Sequence, residues 1–301
     1  MRTLDLFCGC GGLSLGFQSA GFQIHSAFDI WDKAIDIYNK NFSHGAELLD
    51  LSIVSRSYFS ELRPELIIGG PPCQDYSSAG KRDENSGRAD LTITFAELVC
   101  GASPKWFVME NVDRIVKSAT LQKAIDIFKV SGYGLTQIVL DASKCGVPQK
   151  RKRFFMIGEL HGKDDFLYNT LIANLSDKSM TIYNYLGDDL NTEYYYRHPR
   201  SYARRGIFSI HEPSPTIRGV NRPIPSTYKM HDGDATNDLS RVRALTTDER
   251  ARLQTFPANF KFQGTKTDLE QIIGNAVPVN LARYVASHLF EYIKGRVLRN
   301  Y

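Results

Sequence analysis

The first 158 residues alternate between short apolar runs and longer amphipathic segments. Six runs have the length and composition of buried strands, and they lie at residues 3–7, 24–28, 66–68, 106–109, 136–140 and 154–157. Segments with apolar residues at helical spacing lie between them, at residues 33–41, 91–99 and 121–130. Regular alternation of this kind predicts an α/β fold with a doubly wound, Rossmann-like and mostly parallel sheet.

The remainder of the chain has a different texture. Residues 160–245 are rich in Tyr, Asn, Asp, Arg and Pro and show little helical periodicity, which predicts a second, smaller and irregular domain. Helical pattern returns at residues 246–255, with Thr246 or Thr247 as N-cap, and again at residues 278–293. We therefore expect one domain from residues 1–159 and 272–301 and a smaller one from residues 160–271.

Composition narrows the class of protein. A chain of 301 residues with 42% hydrophobic residues can bury a sizeable core, and a formal charge of +4 requires any polyanion site to be a local patch. The five cysteines include no Cys-x-x-Cys pair and no zinc spacing, which indicates a reducing compartment and no metal. No signal peptide or apolar run of about 18 residues is present. We expect a cytoplasmic protein with no membrane association.

Residues 69–74 read Gly-Gly-Pro-Pro-Cys-Gln and follow the apolar run at residues 66–68. The glycines and prolines end the strand abruptly and present Cys73 on a stiff turn at its carboxyl end, where open α/β sheets bind ligands. A thiol held there with a cationic or acid–base neighbour can act as a nucleophile. A small buried core cysteine is the alternative that this peptide alone leaves open.

Residues 5–17 predict a strand, a glycine-rich turn and the start of a helix. The spacing differs from the dinucleotide Gly-x-Gly-x-x-Gly and the loop lacks the Lys-Ser/Thr of a P-loop, so it favours a nucleoside-type cofactor over a triphosphate. Asp29 ends the next strand and is placed to accept from ribose hydroxyls, with Ile30 against an adenine face. Asp50 ends a third segment and is placed to accept from the adenine amino group. Solvated strand ends or helix caps are the alternatives for both acids.

Taken together, five segments resemble those of the bacterial cytosine-C5 DNA methyltransferases, in the same order over nearly the whole chain. They are residues 5–17, 70–74, 110–112 (Glu-Asn-Val), 149–153 (Gln-Lys-Arg-Lys-Arg) and 274–280 (Gly-Asn-Ala-Val-Pro-Val-Asn). The resemblance implies S-adenosylmethionine as cofactor, with S-adenosylhomocysteine as product. It also implies a cytosine flipped out of double-stranded DNA as substrate, and a target-recognition domain between the fourth and fifth segments.

The resemblance assigns the catalytic roles. The Cys73 thiolate would add to carbon 6 of cytosine, which makes carbon 5 able to attack the sulfonium methyl. Glu110 follows the apolar run at residues 106–109, where burial favours the neutral acid, and it would serve as the acid at ring nitrogen 3. Arg151 and Arg153 alternate on an extended strand, so both side chains are expected on one side, toward the substrate.

The same resemblance implies two further sets of contacts. The expected cofactor-binding residues are Phe7, Gly9, Gly11, Gly12, Leu13, Asp29, Ile30, Asp50, Leu51, Pro72, Leu91, Asn275 and Val277. The expected DNA-binding residues are Gln74, Ser77, Ser78, Arg88, Thr216 and Arg218. Residues 75–90 are polar and suit a mobile cover over the site, although Arg88 departs from the usual family pattern. No role follows for the other four cysteines, which we expect to be inert.

The predicted smaller domain contains a basic, aromatic stretch. Within residues 194–229, seven basic residues stand against a single acid, Glu212. The basic residues are Arg197, Arg200, Arg204, Arg205, Arg218, Arg222 and Lys229. The interleaved aromatic residues are Tyr194, Tyr195, Tyr196, Tyr202 and Phe208. Such a stretch suits phosphate contacts together with groove or stacking contacts.

Three other functions remain open from the sequence. An RNA cytosine methyltransferase would use the same fold and the same motifs. A nicotinamide-dependent oxidoreductase would explain the glycine loop but gives no role to Cys73 and Glu110. A catalytically silent DNA-binding relative would not need the complete catalytic set. We expect a monomer, and a restriction endonuclease acting on the same site is the protein partner that the resemblance suggests.

Overall fold

The computed structural model describes residues 1–72, 90–201 and 203–297. Residue 297 is described by its backbone alone. Contacts divide the chain into two compact units. The first unit comprises Met1–Leu140, Lys152–Leu175 and Ala282–Tyr301, and the second comprises Asp141–Arg151 and Ser176–Leu281. Residues 141–151 and 272–281 therefore belong to the second unit, and residues 160–175 belong to the first.

A seven-stranded sheet forms the centre of the first unit. Its strands are β1 (Arg2–Leu6), β2 (Gln23–Asp29), β3 (Glu47–Leu48), β4 (Leu66–Gly69), β5 (Trp106–Val112), β6 (Tyr133–Asp141) and, after the short β7 (Gln149–Lys150) of the second unit, β8 (Lys152–Leu160). The order across the sheet is β3-β2-β1-β4-β5-β8-β6. The neighbouring pairs from β3 to β5 are parallel, whereas β8 is antiparallel to β5. The predicted α/β fold with a mostly parallel sheet is confirmed.

The helices of the first unit are α1 (Gly12–Ser19), α2 (Asp32–Asn41), α3 (Leu91–Ala102), α4 (Ala119–Val130), the short α5 (Tyr168–Ala173) and, at the end of the chain, α9 (Val279–Val297). Every predicted strand and helix of this unit is present, with ends shifted by a few residues. The α9 side chains Leu281, Val285, Leu289 and Ile293 are buried, as their spacing predicts.

The second unit is mostly irregular around two small sheets. One sheet has the order β10-β9-β12 and is formed by β9 (Tyr194–Tyr196), β10 (Ile207–Ser209) and β12 (Val242–Ala244). The other pairs β11 (Ser214–Pro215) with β7 in parallel.

Three α-helices lie among the described residues of the second unit. They are α6 (Ile182–Leu186), α7 (Thr247–Leu253) and α8 (Lys266–Asn275). Thr246 caps α7 in a capping box with Glu249, which confirms the predicted helix start. The helix α8 was not predicted.

Candidate active site

The strand end that leads to Cys73 lies beside Glu110 and Asn111. Strands β4 and β5 are parallel with Gly69 opposite Met109, which brings the next residues of both strands together. A Cβ atom at Gly70 would lie 3.3 Å from Glu110 Oε2, and the Asn111 side chain donates to the Pro71 carbonyl at 3.0 Å. Glycine at residue 70 therefore makes room for the carboxyl group, and Asn111 fixes the backbone two residues before Cys73.

Glu110 is 8% exposed and forms an ion pair with Arg153 of the neighbouring strand β8. The Arg153 Nε and Glu110 Oε1 atoms are 2.9 Å apart. Burial lowers the pKa of the Arg153 guanidinium, and the nearby Glu110 and Asp113 carboxylates act in the opposite direction. Glu110 lies within β5 rather than just beyond its end, because the strand continues to Val112.

Arg151 has different partners from Arg153, which the alternation of the two residues does not predict. Its guanidinium is 2% exposed and donates to the carbonyls of Ile217 at 3.0 Å, Gly274 at 3.0 Å and Ala276 at 3.2 Å. All of these residues belong to the second unit. The role of Arg151 at the substrate stays a prediction. The three hydrogen bonds described above bind its guanidinium to the backbone of the second unit.

Two buried glutamines extend the network around Arg151 and were missed by sequence reasoning. Gln149 donates to Gln254 at 2.7 Å and accepts from the Ile217 amide at 2.9 Å, and Gln254 donates to the Ile273 carbonyl at 2.6 Å. Gln149 lies within the Gln-Lys-Arg-Lys-Arg motif, which was a usable signal. Gln254 ends a helix without any motif, so only the fold identifies it.

The glycine loop has the backbone conformation that its composition predicts. Phe7, Gly9 and Gly11 have positive φ angles of 62°, 53° and 93°. A Cβ at Gly11 would lie 2.4 Å from the Phe42 ring, whereas a Cβ at Gly9 would have no atom within 4 Å. Glycine is therefore required for packing at residue 11, while the open space at residue 9 allows close approach of a ligand. Gly12 and Leu13 form the first turn of α1.

Asp29 and Asp50 lie near each other at one end of the sheet. The Asp29 carboxylate accepts from the Gly9 amide at 2.7 Å and from the Trp31 amide at 2.9 Å, and burial raises its pKa. The Asp29 carbonyl accepts from the Leu49 amide at 2.8 Å, next to Asp50. Asp50 Oδ1 accepts from the Ser52 amide and hydroxyl. The structure thus brings the glycine loop and both predicted acids together.

Two apolar residues of the predicted cofactor site differ in exposure. Ile30 is 63% exposed and Leu51 is 2% exposed. An isoleucine with this exposure directly after a strand has apolar surface available to a planar ligand, as the prediction for an adenine face requires.

A buried hydrogen-bond chain behind the glycine loop was also missed. The Ser14 hydroxyl donates to Asp5 Oδ2 at 2.6 Å and lies 2.7 Å from the Tyr38 hydroxyl, which lies 2.7 Å from His44 Nε2. Asp5 is fully buried, and desolvation raises the pKa of its carboxyl to about 7. An acid inside the predicted strand at residues 3–7 was the available signal.

The four described cysteines suit no nucleophilic role. Burial raises the pKa of the Cys8 and Cys100 thiols, and raises those of Cys10 and Cys145 to about 12. All four are free. A thiol with a raised pKa supplies little thiolate near neutral pH. That these residues are inert stays a prediction.

The predicted DNA contacts of the second unit have mixed environments. The Thr216 hydroxyl donates to the Lys150 carbonyl at 2.8 Å, and Arg218 donates to the His198 carbonyl. Both side chains are half-buried. Tyr195, Tyr196 and Phe208 are buried in the core of the unit, so these three side chains are not available for stacking contacts. Tyr195 and Phe208 pack on one face of the small sheet, and Tyr196 packs with Ile207 on the other.

Several predicted site residues lie outside the residues that the structure describes: Cys73, Gln74, Ser77, Ser78 and Arg88, together with Tyr202 and most of the predicted cover. Of the remaining predictions, Pro72 follows Pro71 at the strand end, and Leu91 begins α3 after its N-cap Asp90. Asn275 ends α8 and Val277 is buried. A Cβ at Gly274 would lie 2.4 Å from the Arg218 backbone, which explains the glycine of that motif.

Within residues 1–72, 90–201 and 203–297, no group of three His, Cys, Asp or Glu side chains is arranged to hold a metal ion. In the same part of the chain, no helix has the length and apolar character needed to cross a bilayer.

The sequence matches the model of the family described as C-5 cytosine-specific DNA methylase over residues 1–291. The Type II methyltransferase M.HindV of Haemophilus influenzae is 59% identical over 297 residues, which cover 98% of this chain and 98% of that protein. The Type II methyltransferase M.HgiDI of Herpetosiphon aurantiacus is 56% identical over 295 residues, with coverage of 97% and 95%.

Two solved structures share the fold. A putative DNA modification methyltransferase encoded within an E. coli prophage aligns with a TM-score of 0.72 and 23% identity, over 98% of this chain and 99% of that one. The Dnmt2 methyltransferase of S. pombe aligns with a TM-score of 0.74 and 18% identity, over 97% and 99%. The predicted methyltransferase fold is confirmed. The chain belongs to the C-5 cytosine-specific DNA methylase family and is a DNA cytosine-C5 methyltransferase.

Proposed function

We propose that this enzyme methylates carbon 5 of a cytosine flipped out of double-stranded DNA, using Cys73 as nucleophile and S-adenosylmethionine as cofactor. The observation that carries the proposal is the convergence of Gly70, Pro71, Glu110 and Arg153 at one strand end. A Cβ atom at residue 70 would lie 3.3 Å from Glu110 Oε2, Arg153 Nε lies 2.9 Å from Glu110 Oε1, and Asn111 donates to the Pro71 carbonyl. A carboxyl group and a guanidinium are thus fixed beside the residues that lead directly to Cys73.

The residues around the glycine loop fit the proposed cofactor. Gly9 has open space where a side chain would be, Asp29 has its carboxylate beside the loop, and Ile30 offers exposed apolar surface. We propose that these residues hold the cofactor together with Phe7, Gly11, Gly12, Leu13, Asp50, Leu51, Pro72 and Leu91. When bound, S-adenosylmethionine supplies the electrophilic methyl group that carbon 5 takes up. The roles of Asn275 and Val277 rest on the sequence motif.

In the proposed mechanism, the Cys73 thiolate forms a bond to carbon 6 of the flipped cytosine, and the electron pair of the 5,6 double bond becomes available at carbon 5. Protonation or hydrogen bonding at ring nitrogen 3 stabilises this form, and Glu110 is the group that supplies it. After methylation, loss of the proton from carbon 5 restores the double bond and expels the Cys73 thiolate.

Arg153 has a positioning role in this proposal. Its ion pair holds the Glu110 carboxyl in place. Arg153 then has further donors for the cytosine carbonyl oxygen or a phosphate, since a guanidinium carries five N–H groups.

We propose that the second unit binds the DNA target, with Thr216 and Arg218 among its contacts and Gln74, Ser77, Ser78 and Arg88 contributing from the segment after Cys73. Identity of 56–59% to two enzymes named Type II methyltransferases supports a role beside a restriction endonuclease. We further propose that the enzyme acts in the cytoplasm as a monomer.

The proposal is tested by methyl transfer. Purified enzyme is incubated with methyl-labelled S-adenosylmethionine and either unmethylated duplex DNA or tRNA, and 5-methylcytosine is mapped by sequencing. Label at carbon 5 of cytosines within one short DNA sequence is expected. Label in tRNA alone, or on adenine, contradicts the proposal, and label in neither indicates a silent DNA-binding relative.

A further inference from the structure

The described arginines of the second unit differ in their partners. Five arginines form ion pairs with carboxylates, and these are Arg205 with Glu212, Arg241 with Glu193, Arg243 with Glu249, Arg250 with Glu270 and Arg252 with Asp189. These pairs neutralise their charge within the protein. They leave little attraction for a further anion.

Arg197, Arg200 and Arg218 are three of the arginines without such a pair, and we call them the arginine cluster because their charges repel one another. None of the three has a carboxylate within 4.0 Å among the described residues. The Arg197 guanidinium donates to the Thr216 carbonyl at 2.9 Å, and that of Arg218 donates to the His198 carbonyl. These two bonds connect residues 197–198 with residues 216–218.

Like charge accumulates at this cluster. Burial, together with repulsion from Arg218, Arg200 and Arg250, lowers the pKa of the Arg197 guanidinium to about 10. Burial and then Arg200 lower the pKa of Arg218 in the same way. Arg250 is itself neutralised by Glu270, with Arg250 Nη1 and the carboxylate 2.8 Å apart. The repulsion among the three cluster residues is left without a countercharge in the described part of the unit.

Part of the Arg218 guanidinium is already shielded from solvent. Arg218 Nε is buried and has no hydrogen-bond partner among the described residues, so a ligand would contact the cluster through its other N–H groups. A charged acceptor bound there relieves the repulsion between the guanidinium groups. A base edge is neutral and relieves no repulsion, whereas a phosphate oxygen is charged and does.

We propose that Arg197, Arg200 and Arg218 together bind the phosphate backbone of the DNA substrate. This inference rests on the proposed function, adds Arg197 and Arg200 to the DNA contacts, and assigns the cluster to phosphate rather than to base recognition. It also separates these residues from the five paired arginines, which it leaves out of the DNA contacts.

The test measures how the DNA dissociation constant depends on salt. Fluorescence anisotropy with a labelled duplex, at several NaCl concentrations, gives the slope of log affinity against log salt for wild type, Arg197→Gln, Arg200→Gln and Arg218→Gln. Arg241→Gln and Arg252→Gln are the matched controls from the paired group. Thermal unfolding of every variant checks the fold, and Arg200, which is exposed, can be replaced without disturbing the core.

Each cluster variant is expected to weaken binding about tenfold at low salt and to reduce the slope by about one, as loss of one phosphate contact does. The two controls are expected to keep the wild-type slope. Unchanged slopes in the cluster variants, or equal losses in the controls, would overturn the assignment to phosphate. So would an unchanged slope with methylation at altered sequences, which indicates base recognition. Methyl transfer by the wild-type enzyme, measured in parallel, shows separately whether the proposed function holds.

Discussion

The glycine-loop region and the arginine cluster carry unpaired charge of opposite sign. Around the loop, Asp5 is buried and Asp29 is half-buried, both without a cationic partner among the described residues, and desolvation raises the pKa of both carboxyl groups. In the described part of the second unit, Arg197 and Arg218 have no carboxylate partner, and burial lowers their pKa. Both regions bear an electrostatic cost in the free protein, which a ligand of the opposite charge offsets.

The difference between the regions matches the two ligands of the proposed reaction. S-adenosylmethionine carries a sulfonium and an ammonium group, and the acids of the first unit favour a cation. DNA is a polyanion, and the arginines of the second unit favour an anion. The residues proposed to act in the chemical step, Glu110 and Arg153, lie in neither region and are paired with each other.

The largest effect is expected for Glu110→Gln, which separates chemistry from binding. The amide cannot supply the proton at ring nitrogen 3, so the methyl-transfer rate should fall by about 10²- to 10⁴-fold. DNA and cofactor affinities should stay within a few-fold of wild type. Single-turnover transfer and anisotropy measure both quantities, with the exposed Glu61→Gln as control. A near-normal rate would remove Glu110 from the mechanism.

Arg151→Lys tests whether Arg151 stabilises the second unit. The guanidinium of Arg151 donates to three backbone carbonyls, and a lysine cannot reach all three in the same geometry. We expect the free energy of unfolding to fall by roughly 2–3 kcal/mol, since buried carbonyls lose their donors. Arg200→Gln should leave it nearly unchanged. Urea denaturation of both variants gives the answer, and equal stabilities would contradict the structural role of Arg151.

Asp29→Asn tests the acidic region. The neutral side chain keeps an acceptor for the Gly9 amide but removes the charge that favours a cationic ligand. The affinity for S-adenosylmethionine should fall about tenfold, as expected for a lost hydrogen bond to a charged group. Calorimetry measures it, with the exposed Asp36→Asn as control. The salt slope of DNA binding should not change, and a change there would break the division between the two regions.

Asp5→Asn is expected to raise stability, whereas the other substitutions lower a rate, an affinity or stability. The Asp5 carboxyl has a folded pKa of about 7 against 3.8 ordinarily, so stability is lost as pH rises between these values. The pKa difference corresponds to a loss of up to about 4 kcal/mol at high pH, and burying an amide in its place costs about 1–3 kcal/mol. The variant should therefore be about 1–3 kcal/mol more stable than wild type at pH 8.

At pH 4 the advantage of Asp5→Asn should disappear, because the wild-type carboxyl is then protonated in the folded chain. Urea denaturation at both pH values measures it. A gain that persists at pH 4, or a loss at pH 8, would show that the buried charge is not what limits stability there.

The sheet could be predicted from the sequence because its strands are short apolar runs, and burial then follows from composition. Residues 66–68 and 106–109 need no partner to be recognised as buried. Glu110 and Asp29 could be predicted because each follows such a run directly. The function could be predicted because the five family segments occur in the same order as in the family.

The rest depended on contacts between residues distant in sequence. The carbonyl partners of Arg151 are residues 217, 274 and 276, so no spacing near residue 151 indicates them. The aromatic run at residues 194–196 has no apolar–polar alternation, and its burial follows only from the small sheet that it forms. Unpaired arginines were likewise indistinguishable from paired ones until the carboxylates of residues 189, 193, 212, 249 and 270 had been located.

A covalent trap tests whether Cys73 is the nucleophile. In DNA containing 5-fluorocytosine, the fluorine at carbon 5 cannot leave as a proton does, so the bond between Cys73 and carbon 6 should persist after methylation. Denaturing electrophoresis and peptide mass spectrometry of the wild type and of Cys73→Ala detect it.

The account predicts a stable complex that requires S-adenosylmethionine, carries the nucleotide on Cys73 and is absent from Cys73→Ala. Normal methylation of ordinary DNA by Cys73→Ala, or a nucleotide attached to another residue, would contradict it.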